Sequence, residues 1–134
     1  MRAVFDTNIF ISAFVIPGGN AEEAYLQAVR GDFQLFTSVT ILTETANILQ
    51  TKFGWSDTRV AMLVGAISKT ATVLKTEPLL HDLADEADNR ILECVALAAA
   101  DFIVTGDKHI LALDHYQSTQ IVKLVEFVEL VKKP

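Results

Sequence analysis

Two short apolar runs in this chain each lead into an aspartate. Ala3–Phe5 is followed by Asp6, and Phe102–Gly106 is followed by Asp107. A continuous apolar run of this length predicts a strand buried on both faces of a parallel sheet. Ligands of such sheets bind in the crevice at the carboxyl ends of the strands. Two acids at the ends of two buried strands therefore indicate a site for cations.

Two further acids belong to the same edge of the predicted sheet. Asp88 shares a helical face with Ile91 and Leu92, so its carboxylate must be satisfied by the first turn of the helix or by a partner in the crevice. Glu44 lies on the shoulder of an apolar helical stripe, early in the helix that follows the second strand. The ordinary alternative for such a glutamate is a solvated position beside the buried face of the helix, with no functional role.

Each strand-end aspartate also has a structural alternative, because Asp is common in Asx-turns and at helix N-caps. Taken together, the four acids favour a functional site over four separate structural roles. Carboxylates that share one pocket repel each other and raise their own pKa values unless a positive charge is present. Ligand sets made only of oxygen suit Mg²⁺ or Mn²⁺, and such ions activate water for phosphodiester hydrolysis. The residues therefore predict Asp6, Glu44, Asp88 and Asp107 as metal-binding, catalytic groups.

The elements that must position these acids alternate between strand and helix. This order predicts an α/β fold with a parallel sheet covered by helices on both faces. The predicted strands are Ala3–Asp6, Phe33–Phe36, Thr72–Lys75, Phe102–Thr105 and Ile121–Leu124. The predicted helices are Asn8–Val15, Ala21–Arg30 capped by Asn20, a helix from Ser38 or Thr40 to Phe53, one from Ser56 to Ser68, Asp88–Ala100, Asp107–Leu113, and a turn or two near Val125–Val131.

Composition predicts one globular domain over residues 1–134. The chain is 51% hydrophobic and 21% charged, and no apolar stretch approaches the ~20 residues of a membrane span. We expect a cytoplasmic protein with no membrane partner, since no signal-like segment opens the chain. The single Cys94 excludes an internal disulfide, and its apolar helical setting predicts a small buried hydrophobe.

The net charge of −6 counts against a nucleic-acid binder that relies on a basic surface. Divalent ions in a carboxylate cluster would change that field, because bound ions can be the largest local charges in a site. The histidines His81, His109 and His115 lack metal-ligand spacing. We expect His109 at the end of a helix, with a phosphate contact as the alternative.

The quoted motifs are similar to those of the PIN-domain family. The likeness rests on Val4–Asn8, on Glu44 by position, on Asp88–Cys94 and on Ile103–Lys108, and it covers nearly the whole chain in order and spacing. The nearest resemblance is to the PIN-type (VapC-like) toxin components of prokaryotic toxin–antitoxin systems. It implies a three-layer α/β/α fold with about five parallel strands in the order 3-2-1-4-5.

The resemblance also implies a function and partners. The expected activity is a ribonuclease dependent on Mg²⁺ or Mn²⁺, whose acids are Asp6, Glu44, Asp88 and Asp107. An RNA substrate, a small antitoxin and a homodimer are the implied partners. Thr7, Asn8 and Thr105 are expected to support the acids. Because Gly106 stands where many relatives carry a basic residue, any phosphate-binding role would pass to Lys108 or Arg90, and Asp85 or Glu86 is an alternative for the role of Asp88.

Two other functions compete with this interpretation. A phosphatase of the haloacid-dehalogenase type also places an Asp after its first strand, but the second Asp of that motif would fall at Asn8. The acid expected four residues after Asp107 would fall at Leu111. The other alternative is a PIN-like module that binds RNA or a protein without cutting.

Overall fold

Strands and helices alternate along the chain as the sequence predicts. The computed structural model describes residues 1–133, and Pro134, the last residue of the predicted domain, lies outside the described residues. In chain order the elements are β1 (Arg2–Phe5), α1 (Thr7–Val15), α2 (Asn20–Val29), β2 (Gln34–Ser38), α3 (Val39–Phe53), α4 (Asp57–Thr70), β3 (Thr72–Leu74), α5 (Glu86–Ala98), β4 (Phe102–Val104), α6 (Lys108–Leu111), β5 (His115–Tyr116), β6 (Thr119–Val122) and α7 (Leu124–Lys132).

The strands form a sheet in the order β3-β2-β1-β4-β6-β5. All neighbouring pairs are parallel except β5 and β6, which form an antiparallel hairpin at one edge. Without β5, this is the predicted order 3-2-1-4-5, with β6 as the fifth strand. The two-residue strand β5 was not predicted, and it turns into β6 through Gln117, which has a positive φ of 53°.

Helix ends follow local capping chemistry at most of the predicted positions. The Ser38 hydroxyl accepts the Ile41 N–H at the start of α3, and Gly54 ends that helix in the left-handed conformation with a φ of 66°. Ser56 caps α4 in the same way. The prediction that Asn20 caps α2 is wrong, because Gly19 holds the N-cap and Asn20 is the first helical residue.

Helices cover both faces of the sheet and confirm the three-layer α/β/α architecture. Helix α2 packs against α1 and α7, whereas α5 packs against β1, β2, β3 and α3. The Phe127 ring of α7 meets Phe33 edge-on, with 4.9 Å between the ring centroids. Cys94 is fully buried in α5 as predicted, and burial raises the pKa of its thiol to about 12. Among residues 1–133, no helix has both the length and the apolar character needed to cross a bilayer.

The register of the central strands positions the chemistry. Phe5 of β1 pairs with Val104 of β4, so Asp6 and Thr105 follow side by side at the carboxyl edge of the sheet. The Asp6 N–H continues the ladder by donating to the Val104 carbonyl at 3.0 Å. The parallel pairing thus brings the ends of both apolar runs to one point, as the sequence predicts.

Candidate metal centre

One buried hydroxyl connects the two strand-end aspartates. Thr105 is fully buried, and its Oγ1 donates to Asp6 Oδ2 at 2.7 Å. The same oxygen accepts the Asp107 N–H at 3.0 Å. Asp6 is only 6% exposed, and burial raises the pKa of its carboxyl, an effect that the Thr105 hydrogen bond opposes and the nearby Asp107 charge increases. Asp6 occupies the N-cap position of α1, where its side chain forms no capping hydrogen bond of good geometry, although the nearby backbone N–H groups of Thr7 and Asn8 also act to lower its pKa.

Asp107 combines a structural role with a place in the acidic cluster. It is the N-cap of α6, where its Oδ1 accepts the N–H groups of His109 and Ile110 at 2.8 and 3.2 Å. These bonds hold one carboxylate oxygen and orient the other. The alternative of an N-cap is therefore correct for Asp107, and it does not exclude a functional role.

Asp88 is the acid whose burial is least compensated. It lies in the first turn of α5 and is 6% exposed, and its Oδ2 is buried without a hydrogen-bond partner among the described residues. Burial and the charges of Asp107, Asp85 and Asp6 raise the pKa of this carboxyl from 3.8 to about 6. The helix N-cap is Asp85, which accepts the Ala87 N–H, so capping does not explain Asp88.

Glu44 reaches the cluster from α3 through a threonine. Thr7, the first residue of α1, donates its hydroxyl to Glu44 Oε2 at 3.2 Å. Glu44 is half-buried, and the pKa of its carboxyl is raised by burial and by the charges of Asp6 and Asp85. It therefore lies near Asp6 and Asp85 and contacts Thr7, whereas its half-exposed side chain is outside the group formed by Asp88, Asp107 and His109.

The remaining predicted residues have different surroundings. Thr7 and Thr105 are buried and hold the acids, whereas Asn8 is exposed and forms no side-chain hydrogen bond to the described acids. Lys108 is exposed directly after Asp107. The side chain of Arg90 is 17% exposed and pairs with Glu93. Lys108 is therefore the better placed of the two basic residues for a phosphate contact.

The structure distinguishes between Asp85 and Glu86, the two alternatives for the role of Asp88. Asp85 lies near enough to raise the pKa of both Asp88 and Glu44, so it belongs to the electrostatic surroundings of the site. Glu86 instead pairs with His81 and Arg90, each at 3.3 Å. Glu86 is thus engaged by Arg90 and His81 rather than by the acidic cluster.

Polar residues of α5 hold the loop that leads to Asp85, a role that the sequence analysis missed. Asn89 accepts the Leu83 N–H at 2.9 Å and donates to the Leu83 carbonyl at 2.8 Å. One turn on, Glu93 accepts the Leu80 N–H and Arg90 donates to the Leu80 carbonyl, each at 2.8 Å. Asn89 and Glu93 are buried within a helix, where a polar residue needs such a partner, and this pattern was the available signal.

His109 also lies closer to the acids than the sequence analysis expected. Asp88, Asp107 and His109 can each offer one ligand atom, and these atoms lie within 4.8 Å of one another. The chain spacing between Asp107 and His109 is only two residues, which does not resemble a common metal motif. The approach depends on the tight turn into α6, and spacing alone could not reveal it.

This arrangement fits a hard divalent cation. The donor set is rich in carboxylate oxygen, which Mg²⁺ and Mn²⁺ prefer. A positive ion would offset both the burial and the repulsion that raise the pKa values of Asp6, Glu44 and Asp88. Asp88, whose carboxyl group has a buried, unpartnered oxygen, is the acid with most need of such an ion.

Comparison with known proteins gives two matches. A family model described as PIN domain matches residues 2–109 of this chain. The chain is also similar to an uncharacterized protein, MJ1680, of Methanocaldococcus jannaschii. The two are 26% identical over 117 residues, which cover 84% of this chain and 75% of the relative.

The raised pKa of Asp88 predicts how stability depends on pH in the metal-free protein. The folded state binds this proton more tightly than the unfolded state, so the charged carboxylate destabilises the fold increasingly as pH rises from about 4 to 6. We expect Asp88→Asn without divalent ions to melt several degrees higher than the wild type at pH 8. The difference should vanish near pH 4, as measured by circular dichroism.

Asp32→Asn provides the control for this prediction. Asp32 is an exposed aspartate whose side chain pairs with exposed Arg30 at 3.4 Å and with no other residue in 1–133, so its replacement should shift the melting temperature little at either pH. An Asp88→Asn protein no more stable than the wild type at pH 8 would show that the buried carboxylate carries no such cost.

The loop contacts of Asn89 generate a second prediction. Asn89→Ala removes both hydrogen bonds to Leu83, and we expect a loss of about 1–3 kcal/mol in the free energy of unfolding. Amide exchange of Leu83 should accelerate, as measured by hydrogen–deuterium exchange. Asn47→Ala is the matched control, since Asn47 is exposed on α3 and its replacement should cost less than about 0.5 kcal/mol. Equal protection of Leu83 in both variants would contradict the assigned role.

Proposed function

This chain belongs to the PIN-domain family, and we propose that it is a divalent-metal-dependent endoribonuclease, the toxin of a toxin–antitoxin pair. PIN domains are generally nucleases, which supports a hydrolase activity. The observation that carries the proposal is the Asp88 carboxylate, buried with an unpartnered oxygen beside Asp107. Such a group is costly unless a cation is its partner.

The residues that would hold the ion are Asp88 and Asp107, with Asp6 and Glu44 beside them. Mg²⁺ or Mn²⁺ bound there supplies a water of lowered pKa and a positive charge for the phosphate. The protein contributes orientation. Thr105 fixes one oxygen of Asp6, Thr7 fixes one oxygen of Glu44, and the first turn of α6 fixes one oxygen of Asp107. Each of these carboxylates thus has one oxygen held in place by the protein.

RNA binding at this site must overcome the net charge of the protein. The chain carries −6, and the acids of the site would repel a phosphate backbone. Bound divalent ions reverse the local sign, and the exposed ammonium of Lys108 lies next to them in the chain. We therefore propose that the RNA phosphate approaches the acids from the Lys108 side and only when the ion is bound.

The proposed toxin role rests on the resemblance of the strand-end motifs to those of PIN-type toxins. It carries two further proposals, namely that a small antitoxin silences the site and that the protein forms a homodimer. The acidity of the site favours an antitoxin segment that brings basic side chains to it.

Cleavage assays test the nuclease proposal. Purified protein should cleave single-stranded or structured RNA with Mg²⁺ or Mn²⁺, and Asp6→Asn should lower the rate by about 100-fold or more because it removes charge from the site. Asp101→Asn is the matched control. Asp101 lies at the opposite end of β4, where its Oδ2 accepts the Arg2 N–H, so this variant should cleave like the wild type.

Two results would overturn the proposal. One is cleavage that persists in excess chelator, and the other is an Asp6→Asn protein as active as the wild type. RNA binding without any cleavage in the presence of either ion would instead favour the alternative of a non-cleaving module.

Expression in a bacterial host tests the toxin role separately. We expect the wild type and Asp101→Asn to arrest growth and Asp6→Asn to permit it at the same protein level, with colony counts after induction as the measurement. Normal growth with soluble, active wild-type protein would remove the toxin role and leave the nuclease activity intact.

A further inference from the structure

The side chain of His109 lies at the solvent side of the acidic cluster. It is 84% exposed, whereas Asp88, whose ligand atom lies within 4.8 Å of its own, is 6% exposed. An ion between them would therefore meet a carboxylate from the protein interior and an imidazole from the surface. The two residues come from different helices, α5 and α6, so their proximity is a product of the tertiary fold.

The local contacts of His109 leave its ring free to act as a ligand. Its Nδ1 is 3.6 Å from Asp107 Oδ1, too far for a hydrogen bond. That carboxylate oxygen already accepts two backbone N–H groups. The imidazole thus has at most a long ion-pair contact with Asp107, and its ring nitrogens form no hydrogen bond to the described residues.

A second observation points independently to a cation at this place. Asp88 Oδ2 is buried and has no hydrogen-bond partner within residues 1–133, so the carboxylate lacks a donor on the protein side. Buried polar atoms in folded proteins normally have a partner. The same carboxyl group offers a ligand atom within 4.8 Å of those of Asp107 and His109.

We infer that His109 is a nitrogen ligand of this centre, and that the site prefers a first-row transition ion such as Mn²⁺ to Mg²⁺. The inference rests on the proposed metal-dependent function and specifies its cofactor. Mg²⁺ favours oxygen ligands in strict octahedral geometry, whereas imidazole binds first-row transition ions well. A mixed set of carboxylates and one imidazole therefore discriminates between the two ions.

Metal titration of the full chain tests this inference. By isothermal calorimetry the wild type should bind Mn²⁺ at least about 10-fold more tightly than Mg²⁺. In His109→Ala the Mn²⁺ affinity should fall about 10- to 100-fold, and the Mg²⁺ affinity should change much less. Because His109 is exposed, its replacement should not impair folding. His115→Ala is the matched control, since His115 is also exposed and its Nδ1 lies 3.6 Å from Asp114, and it should bind both ions like the wild type.

Pulsed electron paramagnetic resonance of bound Mn²⁺ gives a second, direct readout. The wild type and His115→Ala should show coupling to an imidazole nitrogen, and His109→Ala should not. Equal affinities for the two ions in the wild type, unchanged Mn²⁺ binding in His109→Ala, or nitrogen coupling that persists in that variant would each overturn the inference. In those cases cleavage sensitive to Asp6→Asn would leave the nuclease proposal standing, whereas a wild type that binds neither ion would overturn both.

Discussion

The hydroxyl of Thr105 is the contact on which the geometry of the site depends. It donates to Asp6 and accepts from the backbone of Asp107, so one buried oxygen ties together the ends of β1 and β4. This is possible because parallel pairing of Phe5 with Val104 places the residues that follow them side by side. Replacing the hydroxyl by a methyl group of similar volume would leave Asp6 without its closest donor. The sheet register and the chemistry of the site are thus linked through a single side chain.

The acids gathered by this register destabilise one another. Burial and mutual repulsion raise the pKa values of Asp6, Glu44 and Asp88, and Asp88 reaches about 6. The surrounding structure offsets this cost with an apolar core that runs from β1 to Phe127 and with polar contacts that fix the loop before α5. A rigid frame around a mutually repulsive cluster is the expected form of a cation site, because the frame prevents the acids from relaxing apart in the absence of the ion.

The sequence predicted those parts that depend on local patterns. Apolar runs identified β1 and β4, and Ser38 and Gly54 marked the two ends of α3 because capping and positive φ are local properties. It did not predict β5, since a strand of two residues has no periodicity to recognise. The contacts of Asn89 with Leu83 and the approach of His109 to Asp88 were also missed, because both depend on how a loop or a short helix packs against α5. Asn20 was placed at an N-cap by residue preference alone, although Gly19 occupies that position in the fold.

The acidity of the chain and the proposed RNA substrate would be compatible only through a bound cation. A surface with a net charge of −6 gives a polyanion no general attraction, so affinity must arise locally. In the proposed function, the acids that repel phosphate in the metal-free protein are the groups that would bind the ion, and the ion would turn the repulsion into attraction. Substrate binding and catalytic competence would therefore be coupled, because both would require the same occupied site. Such a protein would bind RNA only weakly at surfaces outside the site. It would discriminate between RNA substrates by which of them fit around the ion and Lys108.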